Sequence, residues 1–198
     1  VSQCYPQRCL SAGIRRQKRD IPVLLDMFRL RSRRSGRLTR RSPVIEQVVA
    51  AVVGALKRLG LKPFLVPAMG SHGSATGKGQ KKVLENYGLT PGRVGAPIRS
   101  SLEVDPIGNT LEGLPVCIDR IANRADHIVL VNRIKHHTEF EHEVESGLMK
   151  MMAIGLGKEA GATLYHRAIM MHGYPKVIVS VARRVLETGK ILFGVGLV

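Results

Sequence analysis

A short apolar run at residues 127–132, His-Ile-Val-Leu-Val-Asn, constrains the fold of this chain more than any other feature. Because nearly all of its side chains are apolar, the strand it predicts is buried on both faces, as in a parallel sheet covered by helices. A second apolar run, Phe64-Leu65-Val66, precedes a glycine-rich loop and a polar helix predicted over residues 78–87. This alternation predicts an α/β fold with a mainly parallel, open sheet flanked by helices.

The first clear helix is predicted to begin at Ser42 and Pro43, because serine is a good N-cap residue and proline suits the first helical position. Gly60 marks its end. One helical stripe carries the apolar residues between these signals: Val44, Ile45, Val48, Val49, Val52, Val53 and Leu56. We expect the packed core to begin near Ser42 and residues 1–35 to be poorly packed, since they show no clean periodicity.

Several shorter elements complete the prediction. Residues 21–25 form a candidate strand that Pro22 confines to a sheet edge or to the start of a strand. Residues 146–156 are predicted to be helical, and residues 176–181 and 191–198 to be strands. Because the chain begins with valine and stops within an apolar strand, which would expose an edge, we expect it to be a fragment of a longer protein.

The charge of the chain is concentrated near its beginning. The formal net charge is +16, and seven arginines lie between residues 29 and 41. Such a run is typical of a nucleic-acid or anionic-surface contact, and equally of a solvated arm. No aromatic residue interleaves with the arginines, so the stacking platform of a single-strand binder is absent. A nucleic-acid-binding or anion-binding α/β module is therefore kept as an alternative function.

Composition also bears on the compartment. No run of 18 apolar residues occurs, and the first residues lack an apolar core of signal-peptide length, so we expect a cytoplasmic protein with no membrane partner. The three cysteines, Cys4, Cys9 and Cys117, have no spacing typical of a disulfide framework or a zinc site.

Two loops follow the buried strands, where ligands bind in open α/β sheets. The loop at residues 70–79 contains four glycines and His72. Its pattern is compatible with a phosphate-binding loop at a helix N-terminus and with a plain turn that caps the helix. Residues 132–143 contain three histidines and three glutamates, which favour general acid–base chemistry at least as much as a metal cluster.

Lys150 lies among apolar residues in the segment Leu148-Met149-Lys150-Met151-Met152. A lysine in apolar surroundings loses its charge easily and can serve as a nucleophile or a covalent tether. The alternative is a surface lysine that packs its stem on apolar neighbours.

Three separated segments resemble the nickel-dependent lactate racemase family, and they occur in the order of that family. They are Val66-Pro67-Ala68-Met69-Gly70-Ser71-His72-Gly73, Val131-Asn132-Arg133-Ile134-Lys135 through His137-Thr138, and Glu145-Ser146-Gly147-Leu148-Met149-Lys150-Met151 continuing to Ile154-Gly155-Leu156-Gly157-Lys158. The resemblance covers residues 42–198, whereas the basic segment 1–41 matches poorly. It implies the N-terminal catalytic domain of a two-domain racemase, whose C-terminal domain is missing from this chain.

The resemblance also implies an activity and a set of site residues. Members of the family racemise or epimerise a small 2-hydroxy acid or a related hydroxyl substrate by hydride transfer to a nickel-pincer nucleotide, nickel pyridinium-3,5-bisthiocarboxylic acid mononucleotide. In this chain the tether is then Lys150, the nickel ligand His166, and the acid–base pair His72 and His137, with His136 as the less favoured second base. The remaining implied cofactor contacts are Gly70, Ser71, Arg37 and Arg40.

Overall fold

The computed structural model of the chain describes residues 20–26, 43–134, 144 and 146–198. The elements of this part follow in the order β1 (Asp20–Asp26), α1 (Pro43–Arg58), β2 (Lys62–Pro67), α2 (Gly77–Asn86), α3 (Pro91–Val94), β3 (Val104–Asn109), β4 (Pro115–Asp119), α4 (Arg120–Asn123), β5 (Ile128–Arg133), α5 (Leu148–Lys150), a π-helical turn (Met151–Gly155), α6 (Lys158–His172), α7 (Tyr174–Glu187) and β6 (Ile191–Leu197). None of these helices has the length and apolar character needed to cross a bilayer.

Four strands form one parallel sheet in the order β2-β1-β5-β6. The central pairing aligns Val23 with Leu65 of β2 and with Val129 of β5. Strands β3 and β4 form a separate antiparallel pair. The predicted α/β fold with a mainly parallel sheet is confirmed.

Helices cover the sheet on both faces, and each face has its own apolar core. Side chains alternate across a strand, so Val23 and Leu25 of β1 pack toward α1 while Leu24 packs toward the opposite layer. That opposite layer contains the π-helical turn, α6, α7 and the β3–β4 pair. The predicted stripe of α1 is buried at four positions, Ile45, Val49, Val53 and Leu56, whereas Val44 is 58% exposed.

The expectation that the core begins near Ser42 is wrong for residues 20–26. These residues form β1, which lies between β2 and β5, and its apolar side chains are buried. Pro22 does not confine β1 to an edge, because it precedes Val23, the first residue that pairs with β5.

The strand predicted over residues 176–181 is also wrong, since this segment belongs to helix α7. Its β-branched residues favour a strand when considered locally. Their burial follows a helical period instead, with Pro175 in the first turn of the helix. The buried positions are Val177, Ile178, Val181, Ala182 and Val185.

The helix predicted over residues 146–156 begins as α5 and continues as the π-helical turn. The amide of Leu156 donates to the carbonyl of Met151 at 2.9 Å, five residues earlier, as in a π-helix. The strand predicted at the end of the chain is confirmed as β6, which pairs with β5.

Tyr165 joins α6 to strand β4. Its side chain is fully buried, and its hydroxyl oxygen accepts a hydrogen bond from the amide of Cys117 at 3.0 Å. Burial raises the pKa of Tyr165 well above its usual range.

We expect Tyr165→Phe to lower the free energy of unfolding by about 1–3 kcal/mol, because it leaves the Cys117 amide without its acceptor. Urea denaturation would measure this loss. The matched control is Tyr87→Phe, because Tyr87 is only partly buried whereas Tyr165 is fully buried. Equal losses in the two variants would contradict the role assigned to the Tyr165 hydroxyl.

Candidate active site

Two loops that carry candidate residues leave the sheet at the same edge. The register aligns Leu25 with Pro67 at the end of β2 and Asp26 with Asn132 near the end of β5. Since the strands are parallel, the loop after β2 and the loop that begins at Ile134 both start at their carboxyl edge. This placement was expected from the sequence and is confirmed for the described parts of the two loops.

The glycine-rich loop after β2 is a tightly packed turn that caps α2. The hydroxyl of Thr76 accepts a hydrogen bond from the amide of Gly79 at 2.9 Å, as an N-cap residue does. A Cβ atom on Gly79 would lie 1.9 Å from the carbonyl oxygen of Gly73. Ser74 and Ala75 have positive φ angles of 56° and 46°, which cost on the order of 1–3 kcal/mol each. The close approach of Gly79 to Gly73 therefore serves packing within the loop, in agreement with the helix-capping interpretation.

Gly70 brings this loop against two other elements. It has a φ of 58°, and a Cβ atom there would lie 3.2 Å from Ile154 of the π-helical turn and 3.5 Å from Ala162 of α6. Lys150 precedes Ile154 by about one turn, and His166 follows Ala162 by one turn on α6. The loop that holds Gly70, Ser71 and His72 thus packs directly on the segments that carry Lys150 and His166.

His72 is exposed, and one nitrogen of its ring contacts the backbone of its own loop. Nδ1 lies 2.7 Å from the carbonyl oxygen of Met69. A carbonyl oxygen can only accept, so Nδ1 carries the proton in this contact and, in the neutral ring, the lone pair is on Nε2. This tautomer leaves Nε2 as the basic atom of His72.

Lys150 and His166 differ in exposure. Lys150 ends α5 and is partly buried, whereas His166 is exposed on α6. Helix α5 lies over β6, since Leu148 occupies the space above Gly194 where a Cβ atom would lie 2.5 Å away. Ser71 is exposed beside His72.

Four candidates, His136, His137, Arg37 and Arg40, lie outside the described residues. The two strands that precede them, β5 and β1, both end at the edge where His72 lies. Within the described ranges, His, Cys, Asp and Glu side chains form no group of three able to hold a metal ion.

The resemblance assigned no role to Lys158, which is the most unusual charged residue of the described structure. It is fully buried and has a φ of 54°, which a lysine rarely adopts. Its Nζ pairs with Asp119 at 3.0 Å, and both side chains are inaccessible to solvent. Burial lowers the pKa of Lys158, and the charge of Asp119 opposes that shift. The two glycines of the segment Gly155-Leu156-Gly157-Lys158 indicate close backbone packing, but the segment contains no pattern that predicts burial of the lysine.

Fold and edge together define an α/β domain in which two loops start at the carboxyl ends of parallel strands, the edge where open α/β sheets bind ligands. The family profile described as the lactate racemase N-terminal domain matches residues 36–176, so the chain belongs to this family.

One solved structure with a similar fold is that of the lactate racemase apoprotein from Thermoanaerobacterium thermosaccharolyticum, with a TM-score of 0.58 and 15% sequence identity. The similarity covers 90% of this chain and 43% of that protein, so the chain spans less than half of its length. The comparison with curated proteins gives no match.

Proposed function

We propose that this domain binds a nickel-pincer nucleotide and takes part in racemising or epimerising a 2-hydroxy acid or a related hydroxyl substrate. The observation that carries the proposal is the contact of Gly70 with Ile154 and Ala162. Through it the His72 loop packs on the segments that hold Lys150 and His166. Together with membership of the lactate racemase N-terminal domain family, this contact favours one shared site.

The chemistry of the candidate side chains fits the cofactor. The primary amine of Lys150 would be suited to condense with a thiocarboxylate arm to a thioamide, in which a C–N bond replaces a C–O bond and water leaves. The imidazole of His166 is a good nickel ligand. Since no group of three donors exists among the described residues, the organic part of the cofactor would provide most of the nickel coordination. Gly70, Ser71, Arg37 and Arg40 are the proposed contacts to the rest of the nucleotide.

The protein's own part in the reaction is proton transfer and orientation. When bound, the cofactor would supply hydride-transfer chemistry at the α-carbon of the substrate. His72 Nε2 would accept the hydroxyl proton on one side of the substrate, and His137 would do so on the other. Imidazoles suit this role because they gain and lose protons near neutral pH. A second domain, in the part of the relative's length that this chain does not span, would supply the opposite wall of the cleft.

The experiment that tests this proposal is intact-mass spectrometry of the chain co-expressed with the enzymes that synthesise the cofactor. We expect a covalent adduct on the unmodified chain, its complete loss in Lys150→Ala, and its retention in His72→Ala. The control is Lys176→Ala, which removes an exposed lysine of α7 and should leave the adduct intact. An adduct that survives in Lys150→Ala, or none on the unmodified chain, would contradict the proposal.

A further inference from the structure

The backbone carbonyls of the loop that precedes His72 are held by side chains from three directions. The carbonyl oxygen of Pro67 accepts a hydrogen bond from Lys158 Nζ, and that of Gly70 accepts one from Gln80 Nε2 at 2.7 Å. Between them, the carbonyl of Met69 accepts from His72. The carbonyl of Ala68 faces Gly155, where a Cβ atom would lie only 2.5 Å away. The backbone from Pro67 to Gly70 is thus restrained at every residue.

Lys158 and Gln80 act as one unit in this arrangement. Lys158 Nζ also donates to Gln80 Oε1 at 3.2 Å, so the amide of Gln80 links the buried ammonium to Gly70. Gln80 is itself fully buried in helix α2. The loop is therefore tied to α2 and to the start of α6 by the same two side chains.

Asp119, at the end of β4, connects Lys158 and Gln80 to the β3–β4 pair. Its Oδ2 pairs with Lys158, and its Oδ1 accepts from the amide of Ala122 at 2.7 Å, which caps α4. Its own amide donates to the carbonyl of Leu156 at 2.7 Å. A buried ion pair contributes little net stability compared with apolar residues of equal volume, because both charges lose their hydration. Its advantage here is geometric, because the ion pair and its hydrogen-bond partners join β4, α6, α2 and the end of β2 at fixed distances.

We propose that Lys158 and Gln80 are positioning residues for His72, holding the Met69 carbonyl where it keeps His72 in the tautomer with the proton on Nδ1. This inference rests on the acid–base role proposed for His72. If the Pro67–Gly70 backbone relaxed, the Met69 carbonyl would move and the Nδ1–H contact would weaken. The Nε2 lone pair would then be lost in part of the molecules, because the proton would be shared between the two nitrogens.

The test is nitrogen-15 NMR of the His72 ring in the full chain without cofactor, at a pH where the imidazole is neutral. We expect the unmodified chain to show mainly the Nδ1–H form and Gln80→Met to show a mixture of both tautomers. The control is Val53→Ala, which removes core volume from the apolar cluster on the α1 face of the sheet, where the Met69 side chain also lies, and removes none of the hydrogen bonds described for the loop. That variant separates a specific effect on His72 from a general loss of stability, because its His72 signals should stay unchanged.

A second variant keeps the test decisive where Gln80→Met does not fold. Gln80→Glu retains an acceptor for Lys158 and, when ionised, replaces the donor to Gly70 with a second acceptor, so it should shift the tautomer in the same direction. Unchanged His72 signals in a folded Gln80 variant would overturn the inference.

The outcome is separate from that of the proposed function. If no cofactor adduct forms, the tautomer shift still tests the positioning role. In the cofactor-loaded protein with its second domain, we expect Gln80→Met to lower kcat by about 10–100-fold with KM unchanged, because a small misplacement of a reacting group has an effect of this size. A rise in KM alone, with kcat retained, would also contradict the inference.

Discussion

Lys158→Met is expected to lower the free energy of unfolding by about 3–5 kcal/mol, the cost of leaving one member of a buried ion pair without its partner. Asp119 would remain as a carboxylate inside the domain with no compensating charge, since both side chains are fully buried. The carbonyl of Pro67 and Oε1 of Gln80 would lose a donor as well. Urea denaturation monitored by circular dichroism would measure the change.

The control for this prediction is the double variant Lys158→Met with Asp119→Asn. It removes both charges, and the asparagine retains an oxygen that can accept from the Ala122 amide. Because a neutral replacement of a buried pair is often tolerated, most of the lost stability should return. A double variant less stable than Lys158→Met, or a single variant that loses under about 1 kcal/mol, would show that the ion pair is not formed as described.

Gly79→Ala is expected to destabilise the domain by about 3 kcal/mol, the upper end of the usual cost of overpacking. At an ordinary helical position the same change stabilises by up to about 1 kcal/mol, since alanine favours the helix. Here the new Cβ atom would lie 1.9 Å from the Gly73 carbonyl oxygen and 2.7 Å from the Thr76 hydroxyl. Those neighbours are backbone and a capping side chain, which cannot move without opening the loop.

Gly92→Ala provides the matched control. Gly92 lies in helix α3, is exposed, and has nothing within 4 Å of the position a Cβ atom would take. We expect that variant to be as stable as the unmodified chain or slightly more so. Changes of the same sign and size at the two glycines, in the same denaturation assay, would disagree with the packing described for the loop.

Local sequence patterns were sufficient to predict the elements whose own residues show a clear apolar run or helical stripe. The buried strand β5 and helix α1 were predicted because an apolar run and a 3.6-residue stripe report burial directly. The expected meeting of two loops at one edge followed from their positions after parallel strands. The motifs around His72, His137 and Lys150 indicated the family, which the match over residues 36–176 confirms. The roles of these residues remain predictions.

Other features depend on contacts between distant parts of the chain, and no local pattern contains them. The segment from Lys176 to Val181 is a helix because the sheet offers it one apolar face, which outweighs its β-branched composition. Strand β1 is central because it pairs with both β2 and β5. Those partners lie tens of residues away in the sequence, and the basic, aperiodic sequence around β1 gives no local sign of the pairing. Lys158 is buried because Asp119, Gln80 and Pro67 converge on its ammonium from three other elements. By itself the sequence determined the fold class, the family and the loops that carry the candidate residues, since these follow from local spacing. The tertiary structure alone decided which strand is central and which charges are buried, because these depend on free energies of contact between segments far apart in the chain.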